Sequence, residues 1–129
     1  MSPPSLARRP RPEGKIELRL ERRPHFLRVA IRGEASFDQA EILSARLLRV
    51  PLDGASLVVF DLAELTFLSS LAMGALIEYR RGVARRGVEV RFANVQPRVW
   101  MALELAGLGT LLERIDLEEP GRPPAMPVA

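Results

Sequence analysis

Leu57-Val58-Val59-Phe60 is a run of β-prone apolar residues that ends at Asp61, and such a run reads as a central strand buried on both faces. A strand of that kind needs neighbours on each side and cover above and below, and parallel neighbours need crossover helices to reach it. The residues around it supply both. On the C-terminal side, Thr66 to Ser70 leads into a helix that continues to about Arg86 and is ended by Gly87. Val88 to Ala93 forms the next strand. Pro97 stands at the first turn of a further helix, with Trp100, Leu103 and Leu105, that Gly107 ends.

Upstream the period changes to two. Ile16, Leu18 and Leu20 alternate with Glu17, Arg19 and Glu21. After a turn at Arg23-Pro24, Phe26, Arg28, Ala30 and Arg32 stand opposite Leu27, Val29 and Ile31. That is an antiparallel hairpin with one wet face. Ser36 followed by Gln39 has the spacing of a capping box and opens a helix whose Ala40, Leu43, Leu47 and Leu48 make the buried stripe. Pro51 stops it. With Leu111 to Leu117 as a last short strand, the order is β-β-α-β-α-β-α-β: an α/β fold with a mixed sheet of about four to five strands and crossover helices in a single domain. Most of the 11 prolines lie in 1–14 and 118–129, which lack apolar periodicity and are expected to be disordered tails around a domain at 15–117.

Composition removes function classes and supplies none. The chain has 129 residues, no cysteine and one histidine, His25. Disulfides, thiolate metal sites and cysteine nucleophiles are thereby excluded, a single histidine leaves almost no room for a histidine-based triad or a zinc site, and no metal or cofactor is expected. Its apolar runs are too short to cross a bilayer and the N-terminus has arginines with no apolar stretch behind them, so a cytoplasmic location is expected. Nineteen basic against 16 acidic residues give +3. Glutamates are interspersed with the arginines and aromatics are few, which is not the dense basic face of a nucleic-acid binder.

The segments Val58-Val59-Phe60-Asp61-Leu62, Leu65-Thr66-Phe67-Leu68-Ser69-Ser70 and Gly74-Ala75-Leu76 resemble the STAS domain, the family of bacterial anti-sigma factor antagonists. Gly33-Glu34, Arg86-Gly87-Val88-Glu89-Val90, Asn94-Val95-Gln96-Pro97-Arg98-Val99 and the stretch from Leu103 to Leu108 extend the resemblance in family order from about Phe26 to Ile115. It implies a regulatory protein-binding domain and no enzyme. In such antagonists a serine at the start of the second helix, after an aspartate, is phosphorylated by an anti-sigma serine kinase, which blocks binding. Ser70 matches the phosphoacceptor, with Ser69 and Thr66 as alternatives. Ser69 stands where the aspartate is usual, Leu71 and Ala72 where a small polar residue and a glycine are usual, and Ser36 on another frequent aspartate.

Helical spacing, independent of any family, places Ser70, Gly74, Glu78, Arg81 and Arg85 on one polar stripe and Ala72, Met73, Leu76 and Ile77 on the apolar one. Ser70 then faces solvent while Ser69 points inward or caps the helix; the two serines also read simply as an N-cap pair. The expected partner surface comprises Ser36, Asp38, Ser69, Ser70, Leu71, Gly74 and Glu78. The partner is an anti-sigma factor or serine kinase. The alternatives are a non-phosphorylated STAS module, as a scaffold or accessory subunit of an ABC-type lipid transporter, and a small-ligand or nucleotide-binding module. Asp61, Glu64, Asp38 and Ser36 read as solvated loop groups at one end of the sheet rather than a metal site.

Overall fold

The structure, a computed structural model, describes residues 15–107. Five strands form the sheet: β1 (Glu17–Arg22), β2 (Leu27–Ala35), β3 (Leu57–Asp61), β4 (Leu65–Leu68) and β5 (Glu89–Ala93). Two α-helices connect them, α1 (Ala40–Leu48) and α2 (Ser70–Ala84), and a third, α3 (Pro97–Leu105), follows β5. The spatial order is β1-β2-β3-β5, with β4 also on β2. β1 is antiparallel to β2, and the other pairings are parallel, as the mixed sheet required. The expected last strand, Leu111 to Leu117, and both expected tails lie outside the described residues.

The central run behaves as its composition demands. Every residue of β3 is buried. Val58 and Phe60 face a main core with Leu27, Val29 and Ile31 of β2, Val90 and Phe92 of β5, and the inward stripes of the three helices. Phe60 stacks on Phe92 at 5.7 Å and meets Tyr79 edge-on at 5.6 Å. Leu57 and Val59 face the other way and form a second small cluster with Phe26 and Ala93, to which no described helix contributes. The hairpin's outer face is therefore apolar at Phe26 and not uniformly wet. α2 ends in a Schellman motif: Gly87 is left-handed (φ +80°), its N–H reaches Ala84 C=O, and Val88 N–H reaches Val83 C=O.

Three local expectations change. Leu48, expected in the buried stripe of α1, is its last residue and is 80% exposed, while Ala40, Leu43 and Leu47 are buried. Thr66 to Leu68 is not the first turn of a helix. Leu27–Ala30 of β2 pairs with β3 and Gly33–Ala35 with β4, so the chain from Leu57 to Leu68 follows one side of β2 with an excursion at 62–64. The register slips between Gly33 and Glu34, so Gly33 pairs with Leu65 and Glu34 with Phe67. This bulge leaves Leu65 and Leu68 buried with Thr66 and Phe67 exposed between them, and a three-residue repeat of burial imitates a helix.

The capping box at Ser36 does not form either. Ser36 is extended, its hydroxyl donates to Asp38, and a single 3-10 turn, Phe37–Gln39, precedes α1. The Gln39 carboxamide oxygen instead accepts the Ile16 N–H at 3.0 Å and ties the start of the helix to the edge strand.

Candidate functional site

At the head of α2 the two adjacent serines are divided by the helix's own geometry. Ser69 is the N-cap: its backbone is extended, its hydroxyl oxygen accepts the Ala72 N–H at 3.1 Å, and it is buried. Its N–H donates to Ala35 C=O at 2.8 Å, which fixes the helix start to the end of β2. Ser70, the first helical residue, is exposed. Thr66 lies in β4, and its hydroxyl donates to Gly33 C=O at 3.3 Å. The three candidate hydroxyls therefore occupy different settings, and Ser70 alone has neither a capping nor a strand-bridging contact among the described residues.

The polar stripe continues as spacing required. Glu78, Arg81 and Arg85 are exposed, with Glu78 and Arg81 3.8 Å apart. Gly74 is half-buried, and nothing lies within 4 Å of where a Cβ would stand. Leu71, in the first turn, is 55% exposed. Ala72, Met73, Leu76, Tyr79 and Val83 are buried and hold the helix to the sheet.

Ser36 and Asp38 lie on the segment that follows β2, joined to each other by a hydrogen bond. Between them Phe37 is 64% exposed, and Phe67 at the end of β4 is 42% exposed. The Ser69 to Ala35 hydrogen bond and the Ala35–Leu68 pairing hold segments 35–38 and 67–71 side by side, and these two segments carry three exposed large apolar side chains, Phe37, Phe67 and Leu71. The sequence reading missed both phenylalanines. For Phe37 the available signal was an aromatic set between polar residues at a helix start. For Phe67 the false helical period concealed its direction.

Asp61 and Glu64 border a different region, one cavity on the sheet, with different partners. Asp61 is 4% exposed. It accepts from Arg28 through Nε, at 2.9 Å, and Nη2, from the Ala63 N–H and from the Asn94 side chain, each of the last two at 3.1 Å. Arg28 donates in turn to Glu21 at 2.8 Å. Burial alone would lower the Arg28 pKa; the hydrogen bonds and charge of Asp61, then of Glu21, more than offset this and hold it above the usual arginine value. Glu64 instead approaches Arg32 at 3.6 Å. Among the described residues no cluster of His, Asp or Glu is placed to hold a metal ion.

The Asp61 network braces the excursion at 62–64 that leads into β4 and Ser69. Leu62 N–H donates to Ala93 C=O at 2.9 Å, the Gln96 amide to Ala63 C=O at 2.6 Å, and Gly33 N–H to Glu64 C=O at 3.0 Å. No described helix is long and apolar enough to cross a membrane.

Comparison with known proteins agrees with this architecture. An anti-sigma factor antagonist from Mycobacterium paratuberculosis aligns with TM-score 0.70 and 21% identity over 84% of this chain and 92% of that one. The Bacillus anti-sigma factor antagonist SpoIIAA in its unphosphorylated form aligns with TM-score 0.65 and 17% identity, covering 79% and 90%. A sulfate transporter family protein from Wolinella succinogenes aligns with TM-score 0.54 and 21% identity, covering 63% and 66%. At these identities the likeness is one of fold. No match is found among curated proteins. The STAS domain profile matches residues 17–119, most of the chain, and with the same order of strands and helices in the structure, the chain belongs to the STAS domain family.

Proposed function

We propose that this protein is an anti-sigma factor antagonist that binds an anti-sigma factor or serine kinase through the head of α2, and that phosphorylation of Ser70 switches the binding off. One observation carries the reading: an exposed hydroxyl relieved of capping duty by Ser69 stands beside exposed Leu71 at the head of a helix, with exposed Phe37 and Phe67 on the adjoining paired segments. Large apolar side chains on a rigid surface are what a protein partner desolvates to gain affinity. Ser36, Asp38, Gly74 and Glu78 form the polar rim and the shallow flank of the same surface.

The switch follows from electrostatics. A phosphate on Ser70 adds a charge of about −1.5 to −2 at the N-terminal end of a helix, where free N–H groups and the helix dipole tolerate it. The fold is therefore spared. A partner that covers Phe37, Phe67 and Leu71 would have to strip water from that charge, so the cost falls on the interface. The chain needs no chemistry of its own for this, and the proposed role is binding without catalysis.

The test is incubation with the cognate kinase and ATP followed by mass spectrometry. A single phosphate on Ser70, absent in Ser70→Ala, is expected. Phosphate on Ser69 or Thr66 would contradict the assignment. A bound kinase that leaves the chain unmodified would favour a second reading, a static STAS module such as a transporter's accessory subunit. Ser69 in place of the aspartate usual in phosphorylated relatives supports that reading.

A further inference from the structure

On the sheet face opposite the described helices, one row of side chains crosses four strands: Arg19 pairs with Ala30, Ala30 with Asp61, and Asp61 with Ala93. Large charged groups thus alternate with alanines. A cavity of about 490 Å³ opens at this row, bordered by Arg19, Arg28, Ala30, Arg32, Arg46 and Asp61 among others. That volume lies in the range of small-molecule sites, about 300–1,000 Å³.

The charges around it are unequally committed. Asp61 receives four hydrogen bonds and has no lone pair left for a cation. Glu21 is taken by Arg23 at 3.0 Å and Arg28 at 2.8 Å. Arg46 spends Nη1 on the Ile16 C=O at 2.8 Å. Arg32 has only loose approaches, 3.7 Å to Glu17 and 3.6 Å to Glu64, both exposed. Arg19 has no hydrogen bond or ion pair among the described residues. Two guanidinium groups with spare donors therefore border a hollow whose floor, Ala30, leaves space that a larger residue would fill; of the carboxylates on its border Asp61 is fully occupied, while Glu17 and Glu64 are exposed and engage only Arg32, loosely, so that a ligand oxyanion can replace them.

We propose that this cavity is a binding site for a small molecule carrying an oxyanion, phosphate or carboxylate, held by the Arg19 and Arg32 guanidiniums over Ala30. Arg28, its charge balanced by Asp61 and Glu21, walls the site without donating to the ligand. Planar guanidinium forks suit both anions through paired N–H···O bonds. The site is separate from the Ser70 surface, and the proposal stands or falls without the phosphoswitch.

The test is a titration of the full chain, followed through arginine Nε–H resonances, with inorganic phosphate, with a nucleoside monophosphate and with citrate, against sodium chloride at matched ionic strength. Saturable shifts of Arg19 and Arg32 with at least one oxyanion and not with chloride are expected. The arms separate a phosphate from a carboxylate preference, and a bare ion from a ligand that fills the cavity. Arg19→Gln should weaken the binding about tenfold or more, the effect of losing one charge-assisted pair, and Ala30→Leu should block the site while the circular dichroism spectrum is retained. Shifts that follow ionic strength alone, or binding unchanged in both variants, would overturn the proposal.

Discussion

Asp61→Ala is the substitution whose cost the structure sets most directly. The carboxylate is buried, accepts two bonds from Arg28, one from the Ala63 N–H and one from the Asn94 amide, and sits where β3 gives way to the 62–64 excursion. Removing one partner of a buried ion pair costs about 3–5 kcal/mol when the survivor is left without compensation. Here the survivor is partly compensated, since Arg28 keeps Glu21 at 2.8 Å and its side chain is 22% exposed. The Ala63 N–H and Asn94 amide lose a charged acceptor as well, each worth about 1 kcal/mol or more. The expected loss is about 2–4 kcal/mol, a fall in Tm of about 10–20 °C for a domain of this size. Urea unfolding of the full chain measures it through the midpoint at an unchanged slope. Adding Arg28→Met to Asp61→Ala should recover part of the loss, because the stranded buried charge disappears with it. A loss below about 1 kcal/mol, or no recovery in the double variant, would show that the network does not brace the excursion.

The other expectations concern α2. Tyr79 has a buried hydroxyl without a hydrogen-bond partner among the described residues, so Tyr79→Phe should keep or raise stability at pH 7 by up to about 1 kcal/mol, read by thermal melting. Burial raises the Tyr79 pKa, partly offset by Arg86; the folded state therefore holds the proton longer than the unfolded chain, wild-type stability should decline as pH rises past about 10, and Tyr79→Phe should remove that component of the decline. Ser69→Ala should cost about 0.5–2 kcal/mol by urea titration and Ser70→Ala much less, because only Ser69 caps the helix; equal costs would contradict the division of roles. Gly74→Arg meets no atom within 4 Å at its Cβ and improves helix propensity by up to roughly 0.8 kcal/mol, so it should fold normally yet abolish capture of the partner in a pull-down.

How much of this was legible in the sequence depended on how local its cause is. β3 announced itself because four consecutive apolar residues have one stable environment, and the first two strands and α2 followed from plain periods of two and 3.6. The inward Ser69 and outward Ser70 were readable for the same reason. β4 was not, because a bulge opposite Gly33 turned its burial pattern into a helical one. Ser36 and Gln39 have capping-box spacing, but Ile16, 23 positions away, claims the Gln39 side chain. The Arg28–Asp61–Asn94 network joins residues more than 30 positions apart, and the placing of segment 35–38 beside 67–71 depends on the β2–β4 register. Such contacts exist only once the strands have paired, and no short window of sequence contains them.

The central claim is that the surface around Ser70 binds a partner and that a phosphate there prevents it. The most direct measurement is the affinity of the cognate anti-sigma factor or kinase for the full chain, by calorimetry, before and after phosphorylation, with Leu71→Arg as the control on the surface itself. The account predicts that phosphorylation on Ser70 and Leu71→Arg each weaken binding by about tenfold or more, at least ~1.4 kcal/mol, while leaving the melting temperature nearly unchanged. Equal affinity for the phosphorylated and unmodified chains, together with a Leu71→Arg variant that binds like wild type, would contradict it.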